Sequence, residues 1–247
     1  MKQSDILRNS KNQHGAKNNE SKFQDYDILD ISYEIQREMK LKYSDYYFGI
    51  DIEFPITDLR DLIESKIDVN EKSYFKPDGG LLWLEINGKK YYYLFPEQKR
   101  QGTNDKRLLE GKNIQPKGNA SERIADKLCI AKLLFGEEDV FPFVTFLQGC
   151  DFYEPESTIP DRIKRTFNFI EPNVIHYEWI KLQKNNNVGG SYFMRGHSMK
   201  DAPGTSDWTK EEMYNIMKSI AKYSINYYIK KYGNKWFFKR STNNVLR

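Results

Sequence analysis

The spacing of apolar and polar residues predicts a β-hairpin in the first half of the chain. Residues 81–86 and 91–95 are two apolar runs, and Asn87-Gly88 lies between them. Asn-Gly in this position is the strongest short-range signal for a hairpin, because both turn residues need positive φ. Further along, residues 140–147 read VFPFVTFL, and such a continuous apolar run is typical of a strand buried on both faces.

A helix is predicted between these strands and the C-terminal half. Asn119 with Glu122 three residues later fits an N-cap and its reciprocal partner, and Gly136 is a natural stop. One face of this helix is apolar and consists of Ile124, Leu128, Ala131 and Phe135.

A longer helix is predicted from Thr209, with Glu212 as its capping partner, to the residue before Gly233. Its apolar stripe consists of Met213, Ile216, Met217 and Ile220. Such a stripe faces either the core of its own chain or a second subunit, and the spacing leaves both open. Residues 27–41 and 56–66 are predicted to form short helices.

The order of these elements favours an α/β fold with a mixed central β-sheet flanked by helices. Residues 1–22 are polar and rich in Asn and Lys, which predicts a mobile N-terminal arm. Residues 23–247 are then expected to form a single domain.

Composition excludes several classes of protein. The chain has 247 residues, of which 38% are apolar and 15% aromatic, so it can build a core and is not wholly disordered. No run approaches the roughly 18 residues of a membrane span, and Cys129 and Cys150 are too few for a disulfide framework or a zinc site. A soluble protein of a reducing compartment, without a membrane partner, is expected.

The charges suggest a polyanionic partner through their distribution. The net charge of +4 is too small to indicate nucleic acid by itself. Residues 99–117 carry six cations against two anions, and residues 230–247 carry six cations and no acid. A solvated basic tail remains an equally good interpretation of the second cluster.

The residues best suited to chemistry flank the predicted hairpin. Pro77-Asp78 precedes it and Glu97-Gln98-Lys99 follows it. Side chains alternate along a strand, so Glu97 and Lys99 point to one side, about 6.6 Å apart along the chain. The hairpin returns that strand end towards Asp78, so two carboxylates and an ammonium should converge. Such carboxylates suit Mg²⁺, which can polarise a phosphodiester.

The spacing alone leaves a solvated charge pair as an alternative, because Glu-x-Lys is a common pattern. It recurs in this chain at Glu20-Lys22, Glu38-Lys40, Glu64-Lys66 and Glu110-Lys112. Only the pair at Glu97-Lys99 follows a hairpin.

Four blocks in order resemble the EcoRI-type type II restriction endonucleases of the PD-(D/E)xK superfamily. They are KPDGG (76–80), EQKRQG (97–102), GNASER (118–123) and FPFVTFLQGCDF (141–152). The segment from KRQG through LLEGK to GNASER is similar to the MunI branch, whereas the first and last blocks look closer to the EcoRI branch. Residues 208–220 also resemble the C-terminal part of the family, so the likeness runs from about residue 45 to 230.

This resemblance implies roles for particular residues. Asp78 and Glu97 would be ligands of Mg²⁺, and Lys99 the catalytic lysine. The residues implied to contact the inner AATT of a palindrome are Lys117, Gly118, Asn119, Ala120, Ser121, Glu122 and Arg123. Arg162 and Arg165 line up with the arginine pair that reads outer guanines, and arginine is well suited to guanine O6 and N7.

The resemblance therefore implies a cytoplasmic prokaryotic enzyme that cuts both strands of double-stranded DNA as a homodimer. Its products would carry 5′-phosphates and 5′ overhangs, and a cognate DNA methyltransferase would be its functional partner. GAATTC is the favoured site, with CAATTG, RAATTY and AATT as alternatives. A repair or structure-selective nuclease and a DNA-binding protein that no longer cleaves are the rival functions.

Two positions depart from the family pattern. Pro96 immediately precedes Glu97 and has no N–H for a central strand, which predicts a strand end at a sheet edge or leaving the sheet. Asp51 aligns loosely with an accessory metal-site acid, although an acid at the start of a helix is the simpler interpretation.

Overall fold

The computed structural model describes residues 28–58, 73–100, 111, 119–149, 152, 157–170, 175–178, 191–195 and 208–233. The predicted N-terminal arm (residues 1–22) and residues 59–66 of the second predicted helix lie outside this part of the chain.

A six-stranded mixed sheet forms the centre of the fold. Its strands lie in the order β1-β4-β5-β6-β8-β7. They span β1 Tyr47–Asp51, β4 Leu81–Ile86, β5 Lys89–Arg100, β6 Phe143–Gln148, β7 Ile175–Glu178 and β8 Ser191–Arg195, while β2 Phe54–Pro55 and β3 Tyr74–Phe75 pair separately. The strands β1, β4 and β5 are antiparallel neighbours, and β5, β6, β8 and β7 run parallel. The predicted mixed sheet is confirmed.

The predicted hairpin joins β4 to β5. Asn87 and Gly88 have φ of 54° and 77°, the left-handed conformation that the Asn-Gly signal requires. The first strand has the predicted bounds, but the second runs well beyond residue 95 to Arg100. That extension carries Glu97 and Lys99 into the sheet.

The strand predicted at residues 140–147 is β6, which begins three residues later. All six of its residues are buried, as the apolar run indicated. It lies between β5 and β8 and is parallel to both.

Helices cover both faces of the sheet. Residues 28–42 form α1, and α4 spans Lys210–Tyr232; together they pack on one face. On the other face lie α2 (Asn119–Phe135) and α3 (Ile159–Ile170). No helix in the described residues is long and apolar enough to cross a membrane.

The apolar stripe of α4 belongs to the core of its own chain. Met213, Ile216, Met217 and Ile220 are all buried in one cluster with α1 and the sheet. The alternative in which this stripe faces a second subunit is therefore wrong.

The start of α4 is fixed to the sheet through Glu212. Thr209 and Glu212 form the predicted capping box. The Arg195 guanidinium at the end of β8 donates two hydrogen bonds, of 2.9 and 2.8 Å, to the Glu212 carboxylate, and it stacks 4.1 Å from the Trp208 ring centroid. The Arg195 hydrogen bonds lower the pKa of Glu212 to about 2 despite partial burial.

We expect Glu212→Gln to lower the free energy of unfolding at pH 7 by about 0.5–1 kcal/mol, because the single amide oxygen can keep the capping box and one Arg195 hydrogen bond, whereas the other Arg195 bond and the carboxylate charge are lost. The folded pKa of Glu212 lies below its unfolded value, so its contribution is present above about pH 4.5 and is lost as the pH falls towards 2. Urea denaturation at pH 7, 4 and 3 measures both effects.

The neighbouring Glu211→Gln in the same first turn is the matched control for the change of charge. An equal deficit in the two variants at pH 7, or a Glu212→Gln deficit that does not shrink in acid, would contradict this account of the pair.

Candidate active site

A tight turn before β4 places Asp78 against the end of β5. The Gly80 N–H donates to the Pro77 carbonyl over 3.3 Å, and Gly80 has φ of 73°. The Gly79 N–H donates to the Pro96 carbonyl over 3.2 Å, and a Cβ on Gly79 would lie 2.5 Å from Pro96 Cγ. Only glycine at position 79 therefore allows this close approach.

Pro96 lies within β5, which continues in the sheet to Arg100, so the predicted strand end is wrong; at Pro96 itself, however, the strand has a partner on one side only. On one side β5 pairs with β6 from Phe95 to Arg100, and on the other it pairs with β4 only as far as Leu94 opposite Leu82. The Pro96 carbonyl faces the Gly79 turn rather than a strand. Because the nitrogen and carbonyl of one strand residue point to the same side, the Pro96 nitrogen also faces the turn. The proline fits because the antiparallel ladder has already ended at this point.

Backbone N–H groups of the turn and of β5 hold the Asp78 and Glu97 carboxylates. The Asp78 N–H donates to Glu97 Oε1 over 3.2 Å, and the Gln98 N–H donates to Asp78 Oδ2 over 3.2 Å. One backbone hydrogen bond thus holds each of the two carboxylates in place.

The Lys99 ammonium bridges the two carboxylates. It donates to Glu97 Oε2 over 2.9 Å and also to Asp78 Oδ2. The Glu97 side chain is 1% exposed, against 15% for Lys99 and 19% for Asp78. The structure thus brings Asp78, Glu97 and Lys99 together as the strand alternation predicted; their catalytic roles stay predictions.

Burial and neighbouring charges act differently on the three groups. Burial, reinforced by the charge of Asp78, raises the pKa of Glu97 to about 7. Burial opposes the charge of Asp78 as well, but Lys99 and the Gln98 hydrogen bond outweigh it, and the pKa of Asp78 is lowered. At Lys99 the two carboxylates outweigh burial and raise the pKa to about 12.

Sequence reasoning missed a fourth member of this cluster, Lys127 on α2. Its ammonium lies 3.3 Å from Glu97 Oε1, donates to the Lys76 carbonyl over 2.8 Å and lies 3.9 Å from the Phe75 ring centroid. A signal was present, since Lys127 is three residues after Ile124 and so has the spacing of the buried face. A cation with core spacing indicates a buried anionic partner.

The two carboxylates fit a magnesium ion. Mg²⁺ is usually held by one or two carboxylates and completes its shell with waters and substrate phosphates. The described residues contain no group of three or more His, Cys, Asp or Glu side chains that could hold a metal by themselves. Asp78 and Glu97 supply a donor set that suits an ion shared with a phosphate.

Several residues predicted to contact DNA line one cavity between α2 and α3. The cavity has a volume of about 750 Å³. Its lining consists of Ser121, Glu122, Ala125, Arg162, Arg165, Thr166, Phe169 and Ile170. The start of α2 thus lies beside both predicted guanine-reading arginines, although they are far apart in sequence.

The structure describes the other predicted DNA contacts only in part. Lys117 and Gly118 lie outside the described residues, and only the backbone of Asn119 and Ala120 is described, within the first turn of α2. Arg123 is exposed on the same helix.

Asp51 is neither at a helix start nor among the residues described around Glu97. It is the last residue of β1, so the interpretation as a helix-start acid is wrong. Its carboxylate accepts hydrogen bonds from Trp83 Nε1 over 2.9 Å and from Lys90 Nζ and the Tyr92 hydroxyl over 3.3 Å. These contacts tie β1 to β4 and β5.

Comparison with known protein families gives a match to the chain. A family model described as restriction endonuclease EcoRI matches residues 10–166, well over half of the 247-residue chain. The matched segment includes the Asp78–Glu97–Lys99 cluster, the start of α2 and both cavity arginines. No curated protein matches the chain.

Proposed function

The chain belongs to the EcoRI family of type II restriction endonucleases, site-specific deoxyribonucleases that bind DNA, and on that premise we propose that it uses Mg²⁺ to cut GAATTC. The observation that carries the proposal is the convergence of two mostly buried carboxylates and an ammonium at the end of β5. That arrangement favours a role in phosphodiester hydrolysis over a purely stabilising role, because a buried ion pair adds little net stability to a fold.

Asp78 and Glu97 are the proposed metal ligands. A Mg²⁺ ion held there would polarise the scissile phosphodiester and make water a better nucleophile. The hydrogen bonds from the Asp78 and Gln98 N–H groups fix both carboxylates before substrate arrives, so little reorganisation is needed on binding.

Lys99 is proposed to stabilise the negative charge that develops on the phosphoryl oxygens and to help orient the attacking water. Water adds to phosphorus as the bond to the 3′ oxygen breaks; the attacking water loses a proton to solvent, and the departing 3′ oxygen takes up a proton from solvent water. The products carry a 5′-phosphate and a 3′-hydroxyl, and the family analogy gives four-base 5′ overhangs.

The cavity between α2 and α3 is the proposed base-reading surface. Arg162 and Arg165 are exposed there, and each has a fork of donors suited to guanine O6 and N7. The start of α2 lies against the same cavity through Ser121 and Glu122. We assign the inner AATT to Lys117–Arg123 and the outer guanine to the arginine pair.

A palindromic site calls for a two-fold symmetric homodimer with one active site for each strand. We propose that residues 23–247 form one nuclease domain with residues 1–22 as an arm, and that a cognate methyltransferase protects the host site. The enzyme would then act in the cytoplasm of its prokaryotic host.

We expect purified protein to cut a mapped plasmid into discrete fragments with Mg²⁺, and to lose this activity with EDTA. Glu97→Ala should lower the cleavage rate by at least about 10²–10³-fold, because it removes a ligand and leaves two lysines without their shared anion. Sequencing of the fragment ends identifies the site and the overhang.

Glu85→Ala on the neighbouring strand β4 is the matched control, since it removes a carboxylate outside the cluster. Cleavage without dependence on AATT would support a structure-selective nuclease instead. Salt-sensitive binding to AATT duplexes without any cleavage would support the non-cleaving rival, and either result would refute the proposed function.

We expect Arg162→Ala and Arg165→Ala to weaken discrimination at the outer base pair by about 1–3 kcal/mol each, while the AATT core remains required. Cleavage rates on GAATTC and CAATTG duplexes measure this. Lys164→Ala is the control, because it removes the same charge from α3 at a position that does not line the cavity. Unchanged discrimination in both arginine variants would remove GAATTC as the assigned site.

A further inference from the structure

Lys127 connects the start of the proposed reading helix to the proposed metal ligands. It lies on α2, two turns after Asn119, and its side chain is only 17% exposed. Its ammonium contacts Glu97 Oε1, the Lys76 carbonyl and the Phe75 ring, so it is anchored at the sheet rather than in solvent. A shift of α2 along or away from the sheet would move this ammonium relative to Glu97.

The contacts of Glu97 leave its ligating oxygens engaged. Oε1 accepts the Asp78 N–H and faces Lys127, and Oε2 accepts Lys99. When both carboxylates are ionised, the cluster of two carboxylates and two ammonium groups is also neutral in sum. A divalent cation at these oxygens therefore competes with ammonium groups and adds positive charge to a balanced site.

We propose that Lys127 is a positioning residue that makes metal binding at Asp78 and Glu97 depend on bound DNA. The inference rests on the proposed function. Lys127 contacts Glu97 until a DNA phosphate offers it another anionic partner, and Glu97 Oε1 then becomes available to Mg²⁺. Cation binding, and with it hydrolysis, is thereby reserved for the complex with DNA.

Lys127 is better placed for this role than Lys99. Lys99 lies on the same strand as Glu97, two residues away, so the two side chains move together. Lys127 reaches the carboxylate from a separate element, whose first turn carries the residues assigned to the AATT core. A movement of that helix would therefore change the Lys127 contact without moving the strand.

The test is calorimetric titration of Mg²⁺ into the full-length protein without DNA. Removal of the ammonium in Lys127→Met should tighten Mg²⁺ binding by roughly tenfold, within the 5–150-fold range typical of coupled sites. Lys132→Met is the matched control, because it removes the same charge from an exposed position on α2 and should leave the Kd at the wild-type value. Lys127→Gln provides a second variant if methionine impairs folding.

The same titration with a phosphorothioate GAATTC duplex that resists cleavage gives the other half of the test. The duplex should tighten Mg²⁺ binding to the wild type strongly and to Lys127→Met much less, because the variant no longer has an ammonium to move. The slope of log Kd for DNA against log salt should fall by about 0.9 in the variant, as expected for one lost phosphate contact.

Without DNA, an Mg²⁺ affinity in both Lys127 variants that is equal to or weaker than that of the wild type would overturn the inference. The absence of measurable Mg²⁺ binding to both variants would overturn it as well. The proposed function is tested separately by plasmid cleavage. If the wild type cuts plasmid DNA and Glu97→Ala does not, the proposed function holds even when the inference about Lys127 fails. Mg²⁺-independent cleavage would instead refute the proposed function.

Discussion

The structure around the candidate site depends on one constraint, the burial of the Glu97 carboxylate in the middle of a β-sheet. A buried charge that loses its partner is destabilising by about 3–5 kcal/mol, so each oxygen of this carboxylate must be satisfied. The Asp78 N–H, Lys99 and Lys127 do so from three different elements. The Gly79 turn carries the first of these donors, β5 the second and α2 the third.

The two faces of the sheet differ in what they carry. The α1 and α4 face is an apolar core, with the Arg195–Glu212 pair fixing α4 to the end of β8. The opposite face carries Phe95, Glu97 and Lys99 in alternation along β5, and α2 and α3 pack over it. The polar cluster and the cavity between α2 and α3 thus lie on the same side of the sheet. Lys127, which contacts Glu97, and the residues assigned to base reading both lie on α2, and the proposed coupling rests on this shared helix.

Local signals in the sequence were sufficient for much of this arrangement. The Asn-Gly turn, the buried run of β6 and the capping box at Thr209 each depend on a few adjacent residues, and each was predicted correctly. The convergence of Asp78, Glu97 and Lys99 also followed from local rules, because a hairpin and strand alternation determine it. The resemblance to the EcoRI family agrees with the family match.

The errors arose where the answer depends on residues distant in sequence. Pro96 is tolerated in a central strand only because β4 starts at Leu81 and leaves the Gly79 turn opposite it, which no local rule contains. The engagement of Asp51 with Trp83 depends on the pairing of β1 with β4. Lys127 meets Glu97 only because α2 packs on that face. Each case required the sheet topology, although the core spacing of Lys127 was visible in advance.

The proposed hydrolytic site contains Asp78 with Glu97 and Lys99, whereas the described contacts of Asp51 hold strands together. Single-turnover cleavage of a GAATTC duplex by Asp78→Asn and Asp51→Asn tests it most directly, since both changes replace a carboxylate with an amide of the same size. The account predicts a loss of at least about 10²-fold for Asp78→Asn and a rate close to that of the wild type for Asp51→Asn. Wild-type cleavage by Asp78→Asn, or an equal loss in both variants, would contradict it.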